Sequence, residues 1–465
     1  MIGKTFTNMK DLTKGNILKG LIAFTLPLLL GNFFQVLYNT ADTLIVGQTL
    51  GKDALASVGA TGSINFLIVG FAQGMTGGLT ILTAQRFGAK NKVGIKKSFL
   101  TGLYFTVAIS IILSVFSVIF VGQLLQLMQT PPAILSGSKT FLTIMLGGMI
   151  ASNLYAYLSN ALRALGNSKT PLYALIVASI LNIIMEYVAI LVFHLGLVGS
   201  SSATILAQAI SVLYLFWYIK RKVPDFHVDR SLLRVGRQEI LAHVRLGIPM
   251  GFQSSVIAIG SITLQIALNK MGTNAVATQA IVSKIDQFAM LPMISMGLAM
   301  ATFGAQNFGA KQFKRINQGL FRALLIAISW SVFFALILIT LNHYFTTAFI
   351  SPHQTAVIDM ARHYYIVNGS FYWLLSILFV TRSTIQGLGN AKIPTICGFM
   401  ELFMRAGVAI VGVLLLNYTV IISSNPAAWI GSTAILIPTT LSMIKRFKKE
   451  GDRVVPAVQE LKKAQ

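Results

Sequence analysis

Thr83-Ala-Gln-Arg-Phe-Gly-Ala-Lys90 and Gly304-Ala-Gln-Asn-Phe-Gly-Ala-Lys311 are near copies, 221 residues apart in a chain of 465. Leu165-Gly166-Asn167-Ser-Lys169-Thr-Pro171 recurs as Leu388-Gly389-Asn390-Ala-Lys392-Ile-Pro394, and Leu26-Pro27 is matched by Ile248-Pro249. A repeat of about half the chain is far too long for a solenoid. It requires a fold built from two similar halves.

Hydrophobic residues make up 55% of the chain and charged ones only 11%, against roughly a quarter charged in soluble proteins. About twelve apolar stretches are long enough to cross a bilayer, over residues 17–46, 54–82, 98–122, 134–161, 170–193, 197–219, 246–269, 275–303, 319–342, 356–384, 393–417 and 425–444. When the 37 Lys and Arg residues are assigned to alternating sides, 31 fall with the N-terminus, the loops after even-numbered spans and the C-terminal tail. The opposite side receives Lys52, Lys139, Lys270 and Arg362. That asymmetry puts both termini in the cytoplasm. The expected architecture is an all-α polytopic membrane protein of twelve transmembrane helices in two six-helix lobes. Its parts are an N-lobe over 1–222, a cytoplasmic linker over 223–245, a C-lobe over 246–444 and a tail over 445–465. Two homologous apolar halves are a signature of secondary transporters, whose substrate path lies between the halves.

The net charge of +24 follows from basic loops facing anionic lipid, so membrane lipids are the implied partner and nucleic acid is not. The first apolar stretch is too long for a signal-peptide core, and no cleavage is expected. Cys397, the only cysteine, excludes an intrachain disulfide. Gly3-Lys4-Thr5 lacks the upstream residues of a phosphate-cradling loop. The six histidines form no H-x-x-x-H pair. Neither ATP hydrolysis nor a metalloenzyme is indicated. The chain reads as a non-enzyme without a cofactor, driven by an ion gradient.

Four acids lie inside spans: Asp42, Glu186, Asp286 and Glu401. A charge at the bilayer centre costs at least ~2.5 kcal/mol on insertion scales, so each needs a partner or a cavity. Tyr38 and Asp42 are four apart and share a helix face, as do Asn182 and Glu186. Two carboxylates, an amide and a phenol offer hard oxygens that suit Na⁺, and desolvated carboxylates also suit H⁺. The plainer reading is a buried hydrogen-bonded network that fixes helix packing. Lys284 and Asp286, two apart, do not face each other and stand equally for substrate contact or interhelical pairing. Glu401 and Arg405 have the spacing of a same-helix ion pair, and Arg382 is placed to snorkel from a helix end. Met290, Met293, Met296 and Met300 form a stripe that suits either varied apolar ligands or simple packing. Gly70, Gly74 and Gly78 form a small-residue ridge for close helix approach. Pro27 and Pro292 are expected to kink their helices.

Several of these segments resemble the multidrug and toxic compound extrusion (MATE) family. They are Pro27…Ala41-Asp42-Thr43…Gly47, the paired Gln-x-Phe-Gly-Ala-Lys loops, Arg163-Ala-Leu-Gly-Asn167 and Ala203-Thr204…Gln208. The resemblance spans both halves. It implies a monomeric antiporter in the plasma membrane of a bacterial cell, exporting amphipathic, mostly cationic drugs in exchange for Na⁺ or H⁺. It also implies a cation site on Tyr38, Asp42, Asn182, Glu186 and Thr204, with Ser159 or Asn160 as a further contributor. The chain departs from the family at Asn182-Ile-Ile-Met-Glu186-Tyr187, where the pattern has Asn-x-x-x-Asp-Pro. The acids of some relatives on the seventh and tenth helices are missing, and Asp286 and Glu401 stand as substitutes. With Lys284, Met290 and Met293 they are the candidates for the substrate cavity. The rival is a lipid-linked saccharide flippase of the same superfamily, which would use Lys284 and Arg405 against a pyrophosphate headgroup. Asp42, Glu186, Asp286 and Glu401 would repel that headgroup.

Overall fold

The computed structural model describes residues 9–227 and 232–463, with side chains to residue 450. Residues 228–231 of the expected linker, the first eight residues and the last two of the tail lie outside the described residues. Among the described residues there is no strand. The first repeat forms α1 (Ile17–Leu50), α2 (Lys52–Gly88), α3 (Lys92–Leu127), α4 (Pro132–Gly147), α5 (Met149–Ala164), α6 (Lys169–Tyr187) and α7 (Gly196–Lys222). The second forms α8 (Arg237–Asn269), α9 (Thr273–Gly309), α10 (Phe313–Thr340), α11 (Asn342–Thr347), α12 (Thr355–Gly369), α13 (Tyr372–Gly387), α14 (Lys392–Leu414), α15 (Tyr418–Ile422) and α16 (Ser424–Lys463).

Among the described residues ten helices are long and apolar enough to span a membrane, and the number is twelve when α4–α5 and α12–α13 each count as one span. Those two pairs are bent by 44° and 48°. Hydropathy reads each pair as a single span because a bend leaves composition unchanged. At the first break a Cβ on Gly148 would lie 2.5 Å from the Ile205 side chain, so α7 packs directly into the bend. α1, α8 and α9 continue through Pro27, Pro249 and Pro292 without interruption.

The chain forms two compact units, Met1–Asp11 with Leu26–Ser255 and Leu12–Thr25 with Val256–Gln465. In the first, Leu79, Phe99, Tyr157, Leu162 and Leu215 are central to the core. Outward residues such as Ile112, Phe116 and Ile119 are about 60% exposed, a surface suited to lipid and too apolar for water. α8 begins at Arg237, inside the stretch expected as linker, because its first turns are held by polar contacts that hydropathy does not register. Arg86 donates to Glu239 Oε2 at 2.7 Å, and Ser98 Oγ lies 2.9 Å from His243 Nε2.

The glycine ridge meets α8. A Cβ on Gly74 would lie 2.6 Å from the Met250 carbonyl oxygen, and one on Gly78 2.7 Å from that of Leu246, whereas Gly70 has open space. Gly78→Val is expected to destabilise the fold by about 1–3 kcal/mol, since a backbone cannot yield as a side chain does. Gly70→Val should be neutral. Thermal unfolding of the detergent-solubilised protein distinguishes the two, and equal midpoints would refute the close approach.

In the second unit, Val282, Ile285, Met293, Leu338, Tyr365 and Leu378 belong to one core. The second copy of the repeated motif closes around the chain ahead of α1. Gln306 Oε1 accepts from Leu12 N at 3.0 Å, and Arg315 donates to the Lys14 and Gly15 carbonyls, both at 2.8 Å.

The duplication is visible in the backbone. Most left-handed residues come in matched pairs, Gly51 and Gly272, Lys90 and Lys311, Gly166 and Gly389, His194 and Leu416, whereas Gly15, Gln129 and Gly196 have no counterpart among the described residues. At Gly166, φ is +83° and a Cβ would fall 2.0 Å from the Lys10 carbonyl oxygen, so no other residue fits. After α2, Lys90 N–H bonds to Phe87 O and Asn91 N–H to Arg86 O. Lys311 and Gln312 repeat this on Phe308 and Asn307 after α9. This is the double-bonded helix stop that ordinarily carries glycine. Lys90→Gly and Lys311→Gly should each stabilise the protein by about 1 kcal/mol through relief of left-handed strain, read as a rise in unfolding midpoint. A fall in midpoint would show that the lysine side chains hold the stop together.

Candidate cation site and buried charges

Three helices of the first unit bring six oxygen-bearing side chains together: Tyr38 and Asp42 on α1, Asn182 and Glu186 on α6, Ser200 and Thr204 on α7. Asn182 Nδ2 donates to Thr204 Oγ1 at 3.2 Å, and Thr204 Oγ1 donates to Asp42 Oδ1 at 3.4 Å. The Thr204 hydroxyl has one proton, and the Ser200 carbonyl competes for it at 3.3 Å. Glu186 interacts with both Asp42 and Ser200, and Tyr38 with Asp42, Thr204 and Glu186. Asn182, Glu186 and Ser200 are fully buried and Tyr38 and Asp42 are half-buried.

Much of the cluster's hydrogen-bonding capacity is unused. Tyr38 OH, Asn182 Oδ1, both carboxylate oxygens of Glu186 and Ser200 Oγ are buried without a hydrogen-bond partner. A buried unsatisfied oxygen costs about 1–3 kcal/mol, and more when charged. Five in one place, beside a second carboxylate, fit a cation or a proton shared between the acids. All five residues expected in the site are therefore assembled. Ser200 was missed, although it lies four residues before Thr204 and so on the same face of α7. Of the two fourth-helix candidates, Asn160 is engaged by Thr76 at 3.4 Å and by Arg163 at 3.2 Å. Ser159 lies beside Tyr155.

The departure at Tyr187 also has a structural answer. α6 ends there and passes into a π-turn, Val188–Val192, one residue after the Glu186–Tyr187 pair. Phe193 N–H bonds to Val188 O at 3.1 Å. The helix is thus unwound just beyond the acid without a proline, in the manner of π-bulges at functional positions.

The second-unit candidates do not converge. Asp286 is buried and accepts from Tyr364 OH at 2.5 Å and from Tyr372 OH. Lys284, two residues earlier, is exposed. Met293 and Met300 are fully buried and Met290 packs at the edge of the same core, so the stripe is engaged in packing. The expected Glu401–Arg405 pair does not form. Glu401 Oε1 instead accepts from Arg382 Nη1 at 2.8 Å and from Ser432 Oγ at 2.9 Å. Arg382 does not snorkel: it is 8% exposed and stacks over Phe379 at 5.3 Å. An interhelical partner satisfies both buried charges, whereas the same-helix pair would have left Arg382 unpaired. Arg405 Nε turns to Asn425 Oδ1 at 3.2 Å.

The family model described as MatE matches residues 27–188 and 249–411, one stretch in each repeat. The chain is 28% identical over 415 residues to the probable multidrug resistance protein YoeA of Bacillus subtilis, covering 88% of this chain and 89% of that one. It is 31% identical over 307 residues to YpnP of the same organism, also described as a probable multidrug resistance protein, covering 66% and 68%. Among solved structures, an outward-facing multidrug resistance transporter of the MATE family superposes with a TM-score of 0.86 at 19% identity. That match covers 97% of this chain and 100% of the other.

Proposed function

We propose, from the premise that this chain belongs to the MatE family, that it exports amphipathic, mostly cationic compounds in exchange for Na⁺ or H⁺. As a member it is a multidrug efflux transporter of the plasma membrane and not an enzyme. The exchange and its ion are the part proposed. The supporting observation is the cluster of partnerless buried oxygens around Asp42 and Glu186. Two neighbouring carboxylates, one fully buried and one half-buried, repel each other unless a cation or a proton lies between them. Uptake of Na⁺ or H⁺ would remove that repulsion, let α1 and α6 repack, and shift the populations of two access states.

Each repeat then supplies one lobe, with both termini in the cytoplasm, and the protein acts as a monomer among membrane lipids. Tags at either end should be reachable only from the cytoplasmic side. The flippase reading is disfavoured because the second unit's buried Arg382 is paired with Glu401, and the first unit's cluster is acidic. The test is efflux from proteoliposomes with Na⁺ and pH gradients imposed separately. Export that responds to one gradient supports the proposal, and export indifferent to both overturns it.

A further inference from the structure

The repeat allows each residue of the cation cluster to be traced to its counterpart. Pro27 and Pro249 set the correspondence of α1 with α8, and Asn167 and Asn390 that of α6 with α14. Tyr38 then corresponds to Gly260, Asp42 to Leu264, Asn182 to Arg405 and Glu186 to Ala409. Both carboxylates have become aliphatic, the phenol has become a hydrogen atom, and the amide has become a guanidinium. All four second-unit residues are buried.

Gly260 and Arg405 are also neighbours in space. A Cβ built on Gly260 would lie 2.9 Å from Arg405 Nη1, so the guanidinium reaches into the gap that the missing side chain leaves. Arg405 is 6% exposed, its Nε is used by Asn425, and its Nη1 is buried without an acceptor. The charged and titratable groups acting on it are Glu401, Tyr364 and Arg382. Glu401 is already committed to Arg382 and Ser432, and Tyr364 OH to Asp286. The cluster in the first unit has oxygens lacking partners. Its counterpart has a donor lacking an oxygen.

We infer that Arg405, whose unpartnered Nη1 packs over Gly260, is a site for a small anion or carboxylate in the second unit. A buried guanidinium N–H without an acceptor is costly, and a charge-assisted bond to an anionic oxygen or a halide removes that cost. The ligand is either a free inorganic anion or a carboxylate carried by a transported compound. This goes beyond the exchange proposed above and does not depend on it.

The test follows thermal unfolding of the full-length detergent-solubilised protein at fixed pH and Na⁺, with isethionate as the balancing anion. Sodium chloride, sodium benzoate and neutral methyl benzoate are the probes. A ligand that binds only the folded state raises the midpoint saturably. Wild type should respond to chloride or benzoate and not to methyl benzoate. A benzoate response identifies the compound-borne carboxylate, and a response to chloride alone identifies the free anion. Arg405→Gln should weaken the response at least ~10-fold, because the charge-assisted bond is gone. Gly260→Ser keeps Arg405 and supplies an oxygen in the gap, so it should also abolish the response while raising the midpoint without ligand. It carries the test if Arg405→Gln does not fold. Asp42→Asn should respond as wild type does, which separates this site from ion coupling. No saturable response in wild type, or one that survives Gly260→Ser, overturns the inference.

Discussion

Asp42→Asn is expected to abolish gradient-driven export and leave the fold intact. Asn has nearly the same shape as Asp, and its Oδ1 can still accept from the Thr204 hydroxyl that now bonds Asp42 Oδ1 at 3.4 Å. The new amide adds a donor beside the unpartnered carboxylate oxygens of Glu186, so stability should not fall. What disappears is the second carboxylate, and with it the repulsion that makes cation or proton uptake favourable. Export should drop more than ~10-fold, since a ligand without differential affinity for two states shifts neither. Glu186→Gln should weaken coupling less. The longer side chain at 186 lets water or Asn182 compensate for the lost carboxylate. Rates in proteoliposomes under one fixed gradient decide the matter, with monodispersity as the check on folding. Wild-type export by Asp42→Asn would move coupling elsewhere, with Asp286 the next acid to test.

The largest loss of stability is expected from Glu401→Ala. It leaves Arg382, 8% exposed on α13, with no carboxylate, and it leaves Ser432 Oγ with the Cys397 carbonyl oxygen at 3.1 Å as its acceptor. Arg405 lies close enough for the two guanidinium charges to act on each other, so both cations lose the anion between them. Breaking a buried pair from one side costs about 3–5 kcal/mol. Replacing both partners together, Arg382→Met with Glu401→Met, should recover most of that cost because no charge is stranded. Thermal unfolding of the two variants beside wild type measures the asymmetry. A single variant within ~1 kcal/mol of wild type would mean that water reaches the pair and screens it.

Much of this molecule could be read from the chain. The duplicated loops anticipated α2 and α9, each of 37 residues and each closed by a left-handed lysine. The rarity of acids in apolar segments pointed to Asp42 and Glu186, and helical spacing added Tyr38 and Asn182. Two kinds of information were hidden. The breaks at Gly148 and between α12 and α13 leave hydropathy unchanged, so twelve spans were visible and their shapes were not. The partner of a buried charge is set by three-dimensional packing. Arg382 and Glu401 are nineteen residues apart on different helices, whereas spacing along one helix favoured Arg405. Asp286 posed the same difficulty, because its two tyrosine donors lie 78 and 86 residues away.

The left-handed lysines bear on how the protein is made. Glycine would relax both stops, yet both copies carry a side chain that the folded protein has to strain to hold. A protonated amine has its largest effect before the fold exists, when each new hairpin of helices must choose which end stays behind in the cytoplasm. Lys90 and Lys311 each follow the second helix of their repeat, where a positive charge weighs on that choice for the hairpin just completed. On this view a little stability of the finished transporter is exchanged for fidelity of insertion. Lys90→Gly with Lys311→Gly would then yield a tougher protein and a larger fraction of molecules threaded the wrong way round.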